Sequence, residues 1–220
     1  MAEAFHRPAP KHQLRRALLG LAGHVPLPTL PTHNRNRLLL IRPDHLGDVL
    51  LTTPAIYALR EVNPYTDIHA LIGPWSADAI AAYPEIDLVL TLAFPGFSRD
   101  PKESWRSPYQ LALQTAGRLR KIGYSSAIIL RPDHWWGALV AKLAGIPERI
   151  GYDLPDVVPF LTHAVEYRRE HAVQQSLRLV EHWTGELAPT QIVYRFPVDP
   201  VSAGYVNGYL QEWGIAPDQP

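Results

Sequence analysis

From residue 38 onward, compact apolar runs alternate with stretches of helical spacing. Leu38–Ile41 is an unbroken apolar run that suits a strand buried on both faces. After a loop, Val49–Val62 has the periodicity of a helix, and Pro54 inside it predicts a kink or an irregular first turn. Ile68–Ile72 and Ile86–Leu92 read as the next two strands, with a small-residue helix over Ser76–Ala82 between them that Pro84 stops. Phe94–Ser107 contains Pro95-Gly96 and Asp100-Pro101, which marks a long loop. Tyr109–Ile122 is helical, Ser126–Leu130 a fourth strand, and Trp135–Ala144 a helix closed by Gly145-Ile146-Pro147. Arg149–Tyr152 is a short fifth strand, and His171–Trp183 a helix ending near Gly185. Past Gln191–Phe196 the pattern thins, leaving Val201–Trp213 as one more helix.

Strands separated by single helices imply right-handed crossovers and a parallel sheet. The expected fold is therefore a Rossmann-like, doubly wound α/β domain over residues 38–196. Composition agrees: 46% hydrophobic and 19% charged residues supply a sizeable core and exclude disordered, collagen-like and coiled-coil classes. The absence of cysteine excludes disulfides and thiolate metal sites. No apolar run reaches the roughly 18 to 20 residues needed to span a bilayer. A formal net charge of zero argues against a nucleic-acid partner.

That zero hides an asymmetry. Residues 1–37 carry six basic side chains against Glu3, a net +5, and the remainder is −5. Residues 1–37 form a basic leader or arm, with a short helix predicted over Lys11–Val25 and ended by Pro26, Pro28 and Pro31. Arg15-Arg16 before Ala17–Gly23 has a faint likeness to a signal peptide, but the apolar stretch is short and lacks a small-x-small cleavage site. Its charge, with Leu14, Leu18, Leu19 and Leu21, gives the expectation of peripheral contact with anionic membrane from the cytoplasmic side.

One heptapeptide pattern occurs twice. Leu39-Leu40-Ile41-Arg42-Pro43-Asp44-His45 is echoed by Ile128-Ile129-Leu130-Arg131-Pro132-Asp133-His134, each at a strand end before a helix. If strands one and four are neighbours, both copies flank the topological switch point, where ligands bind in such sheets. The alternative is ordinary strand-to-helix turn chemistry, with Asp bonding backbone amides. Asp48, after Gly47 at the start of the first helix, is on spacing alone either a general base at the crevice mouth or an N-cap. Trp135-Trp136 are either core residues of their helix or an aromatic floor for a sugar ring. There is no Gly-x-Gly-x-x-Gly, no Walker A sequence, no His-Glu-x-x-His and no Asp-x-Asp, and the ten histidines lack ligand spacing, so no cofactor and no metal is expected.

Arg42-x-Asp44-x-x-Gly47-Asp48-Val49, followed by Leu51-Thr52-Thr53-Pro54-Ala55 and Leu59-Arg60, resembles the opening of glycosyltransferase family 9, the ADP-heptose:lipopolysaccharide heptosyltransferases. Ala144–Asp153 is similar to the family's Gly-Ile-Pro-x-Arg-Ile-Gly-Tyr segment, and His171 with Leu177–Leu179 is a weaker match, so the resemblance runs from Leu38 to Trp183. It implies the N-terminal, acceptor-binding half of a GT-B fold in an inverting, metal-independent transferase. It also implies a nucleotide-sugar donor such as ADP-heptose and a lipopolysaccharide-like or other glycan or glycolipid acceptor. Asp48 would be the catalytic base, and Arg42, Asp44, Gly47, Arg131 and Asp133 would bind the acceptor. Family members acting on the lipopolysaccharide core often carry Ser or Thr at the place of Asp44, whose carboxylate would repel an acidic sugar. The family's donor domain is expected after residue 196, so residues 197–220 read as an interdomain crossing or the start of a truncated donor domain, and the chain alone as inactive. The rival from another class is a non-catalytic Rossmann-like module binding an anionic small molecule or a protein partner at the same crevice.

Overall fold

A computed structural model describes residues 19–21, 23–27, 36–98, 104, 106–185 and 192–215. In chain order these form strand β1 (Arg37–Arg42), helices α1 (Leu46–Leu50) and α2 (Thr53–Val62), β2 (Asp67–Ile72) and a 3-10 turn at Pro74–Ser76 running into α3 (Ala77–Ile80). There follow β3 (Leu88–Thr91), α4 (Ser107–Ile122), β4 (Ser126–Ile129), α5 (Trp135–Leu143), β5 (Glu148–Tyr152) and a 3-10 turn at Val158–Phe160. Then come β6 (His163–Val165), α6 (Ala172–Thr184) and α7 (Pro200–Glu212).

The six strands make one sheet in the order β3-β2-β1-β4-β5-β6, parallel at every pairing. This is the doubly wound α/β fold expected from the sequence. The period-2 alternation of β1 shows how both faces are covered. Leu39 and Ile41 pack with Ala112, Ala116 and Leu119 of α4 and Trp136 and Val140 of α5. Leu38 and Leu40 pack on the opposite face with Ile56 and Leu59 of α2 and Leu177 and Val180 of α6. Burial on both faces is why these strands read as continuous apolar runs.

Three local expectations are corrected. The single helix over Val49–Val62 is two, because Thr52 and Thr53 turn their hydroxyls onto the carbonyls of Val49 (2.6 Å) and Leu50 (2.8 Å), and Pro54 sits in the first turn of α2, where its missing N–H costs nothing. The helix over Ser76–Ala82 is only α3 with its preceding 3-10 turn. The strand β6 is additional: it pairs with β5 from Ile150↔His163 to Tyr152↔Val165, and two of its three residues are exposed.

The predicted leader helix lies outside the described residues except at 19–21 and 23–25. There Leu19 is buried in the α5-side core, and Lys142 Nζ of α5 donates to the Gly23 carbonyl. A Cβ on Gly23 would fall 2.2 Å from that of Pro159, so only glycine fits. At the other end, Tyr83 Oη donates to the Arg195 carbonyl (2.6 Å) and Arg195 pairs with Glu85 (2.9 Å), fastening the stretch before α7 to the domain. α7 itself, capped by Asp199, buries none of its residues.

Candidate functional site

The adjacency of β1 and β4 brings the two Arg-Pro-Asp-His copies together at the carboxyl edge of the sheet, where the Leu130 amide donates to the Ile41 carbonyl at 3.1 Å. The copies bond to each other. Arg131 Nη1 of the second donates to Asp44 Oδ1 of the first, and Arg42 Nη1 of the first donates to the Leu130 carbonyl (2.9 Å). Arg42 Nε lies 2.7 Å from Asp44 Oδ2, an ion pair whose N–H is not well directed at the oxygen. Arg131 Nε donates to Asp133 Oδ1 at 2.6 Å, and its guanidinium lies 5.0 Å over the Phe97 ring.

Charges within this network are balanced inside the protein. Asp44 is 2% exposed, and its carboxylate faces two guanidinium groups instead of the crevice. Its backbone carbonyl is held by Trp75 Nε1 (2.9 Å) and Ser76 Oγ (3.1 Å), so the whole residue is fixed. Burial lowers the Arg42 pKa, against the pull of Asp44 and Asp48. For Arg131 burial also works against the charge, but the bonds from Asp133 and Asp44 outweigh it and hold the guanidinium above its ordinary value. The expectation that Asp44 presents a repelling carboxylate therefore gives way to a compensated, buried one.

Asp48 is placed differently from the N-cap alternative. His45 takes the N-cap place of α1 and makes no side-chain cap bond, and Asp48 stands in the first turn. Its carboxylate is exposed, makes no hydrogen bond or ion pair with a described residue, and acts electrostatically on Arg42. Gly47 beside it is exposed; a Cβ there would meet nothing within 4 Å, and its φ is not positive. Neither packing nor backbone demands glycine there.

Next to the network opens a cavity of about 680 Å³ beneath the loop after β3, with Phe97, Tyr109, Arg131, His134, Trp135 and Trp136 in its wall. Trp136 is core as well as wall: it is 3% exposed, donates Nε1 to the Pro108 carbonyl (3.0 Å) and meets Phe94 edge-on at 5.9 Å. His134 is 4% exposed, packed against Phe94 and Phe97, and both of its ring nitrogens lack a partner among the described residues. A Cβ on Gly137 would fall 2.5 Å from His134 Nδ1, so that glycine makes room for the ring. Burial, with the positive charges of Arg131 and Arg42, pushes the His134 pKa from its ordinary 6.5 down to about 3. The folded protein thus declines a proton that the unfolded chain accepts between those values. His134 contributes stability that is complete above pH 6.5 and lost as pH falls towards 3, at up to about 1.4 kcal/mol per pH unit. Urea titrations at pH 7, 6, 5 and 4 should show a shallower acid loss for His134→Phe than for the parent. Parallel curves would mean that the imidazole is not held neutral.

Among the described residues, no group of three or more His, Asp or Glu side chains comes together as metal ligands, and no helix is long and apolar enough to cross a membrane. Structural comparison finds the same fold in solved structures. The chain is similar to the glycosyl transferase family 9 structure from Veillonella parvula, with 19% identity and a TM-score of 0.67 over 83% of this chain and 51% of that one. It is similar to E. coli ADP-heptose lps heptosyltransferase II, with 18% identity, a TM-score of 0.60, and 84% and 52% of the two chains covered. A third likeness, to E. coli heptosyltransferase WaaC with ADP, has 21% identity and a TM-score of 0.59 over 73% and 51%. The fold is that of family 9 glycosyltransferases. The chain spans about half the length of these structures. No protein-family model matches the sequence, and no curated protein matches it.

On this glycosyltransferase fold, the structure brings Arg42, Asp44, Arg131 and Asp133 into one network, with Gly47 and Asp48 on the neighbouring turn. Gly47 and Asp48 are not in the cavity wall. Sequence reasoning missed Phe97, Tyr109 and the buried state of His134. The aromatic content of the loop after β3 was visible, but its path across the sheet edge to Arg131 was not.

Proposed function

We propose that this chain is the acceptor-binding half of an inverting, metal-independent glycosyltransferase that moves a heptose-type sugar from a nucleotide-sugar to a glycan or glycolipid. The observation that supports the reading is an exposed carboxylate, Asp48, without a partner among the described residues, beside an unencumbered glycine at the switch point of a family 9 fold. Asp48 takes the proton from the acceptor hydroxyl as that oxygen attacks the anomeric carbon from the face opposite the leaving diphosphate. Gly47 lets the acceptor come close to the backbone. Arg42, Asp44, Arg131 and Asp133 hold the acceptor side of the crevice in shape, and stabilisation of the leaving diphosphate falls to a donor-binding half. The non-catalytic module finds no support in the comparisons, which lead to transferases.

The test is transfer of heptose from ADP-heptose to saccharide acceptors, with and without a donor half supplied in the same chain or separately. Transfer is expected only with both halves. Gly47→Ala should keep or raise stability, by up to about 1 kcal/mol, while lowering transfer. Undiminished transfer in that variant would remove Gly47 from the site, and no transfer of any nucleotide-linked sugar by the completed enzyme would sink the reading.

A further inference from the structure

The helix that carries Asp48 is weakly held by its own residues. α1 has five residues, too few to sustain a helix by propensity, buries only Val49, and lacks a capping side chain at His45. Val49 packs with Ile72 of β2 and Ile80 of α3, and the Thr52 and Thr53 hydroxyls secure the carboxyl end through the Val49 and Leu50 carbonyls. Leu46, Gly47 and Asp48 are all exposed, so the first turn gains no hold from burial of its own side chains. The hold at that end comes from the loop after β2. The Asp44 carbonyl, one residue ahead of His45, accepts from Trp75 Nε1 (2.9 Å) and Ser76 Oγ (3.1 Å). The Trp75 and His45 ring centroids are 5.3 Å apart. A Cβ on Gly73 would overlap the indole, so glycine at 73 leaves the space in which the ring is seated. Trp75 belongs to none of the three hydrophobic clusters of the described residues, and its one polar atom is committed to the carbonyl that leads into α1.

We propose that Trp75 is a positioning residue: from the loop after β2 it sets the direction of the first turn of α1, and with it the place of the Asp48 carboxylate. This rests on the reading of Asp48 as the base. Asp48 bonds to no described residue, so the backbone beneath it decides where its carboxylate stands. Displacing a reacting group by about 1 Å can cost about a hundredfold in rate, so a modest loosening of this turn is enough to be seen in catalysis.

Amide hydrogen exchange of the whole 220-residue chain reads this hold without any donor. Trp75→Phe keeps a ring beside His45 and loses the N–H, and Trp75→Leu loses both. In Trp75→Leu the Val49 and Leu51 amides, bonded to the His45 and Gly47 carbonyls, should exchange about tenfold faster, with Trp75→Phe between it and the parent. The Ile56 amide of α2, bonded to the Thr52 carbonyl, should keep the parental rate. In the enzyme completed by its donor half, Trp75→Phe should lower kcat about tenfold and leave KM within about twofold. Added to Asp48→Asn it should cost nothing further, because the carboxylate it places is gone. Parental exchange at Val49 and Leu51, an acceleration shared equally by Ile56, a parental kcat, or an undiminished effect in the Asp48→Asn background would each overturn the proposal. The two readings fail separately. Parental exchange in both Trp75 variants leaves Asp48 standing as the base, whereas parental transfer by Asp48→Asn alone is the failure of the base reading, seen without touching Trp75.

Discussion

Replacing Asp48 with Asn lowers sugar transfer by the general-base contribution, about 10²- to 10⁴-fold, in the enzyme completed by its donor half. The amide keeps the shape of the side chain and cannot take the acceptor proton. The melting temperature is unchanged, because Asp48 is exposed, bonds to no described residue and does not cap α1. That separation makes the variant informative: an N-cap would lose stability, and a base loses rate alone. Transfer at the parental rate would leave Asp48 without a catalytic role and return the search for a base to the rest of the crevice.

The largest effect on stability falls on the neighbouring carboxylate. Asp44→Ala leaves Arg42, 6% exposed, facing Arg131 with no anion between them. Removing one partner of a buried pair costs about 3–5 kcal/mol, because the remaining charge is stranded away from water. Urea denaturation of this variant should therefore show a midpoint shifted well down, with the slope unchanged. A second substitution, Arg42→Met, should restore part of the loss by removing the stranded charge. A midpoint unmoved by Asp44→Ala would mean that the network is not what joins the two loops.

The sheet was legible in the sequence because its central strands are buried on both faces, so Leu38–Ile41 and Ser126–Leu130 stand out as apolar runs. The strand β6 was not legible: three residues with two exposed carry no period to detect. The repeat pointed to the correct edge of the sheet on the assumption of the doubly wound strand order, which sets strands one and four side by side as the structure has them. It did not show that Arg131 would reach Asp44, because a pairing across 87 positions has no local signature. For Asp48 the spacing alone leaned towards a cap over a base, and His45 in the cap place decides against the cap. A lone histidine after Arg-Pro-Asp gave no sign that His134 would be sealed under Phe94 and Phe97 while His45, its counterpart in the first copy, stays exposed.

The bond between the two copies of the repeat also constrains how this chain can change over generations. Position 44 and position 131 behave as one locus, since Ser or Thr at 44 would leave two guanidinium groups side by side with Asp133, on the Arg131 side, as their one directly bonded carboxylate among the described residues. A lineage passing between the two chemistries has to cross a poorly folded intermediate or alter an arginine first. The order of those steps is therefore fixed by electrostatics before selection for any particular acceptor can act.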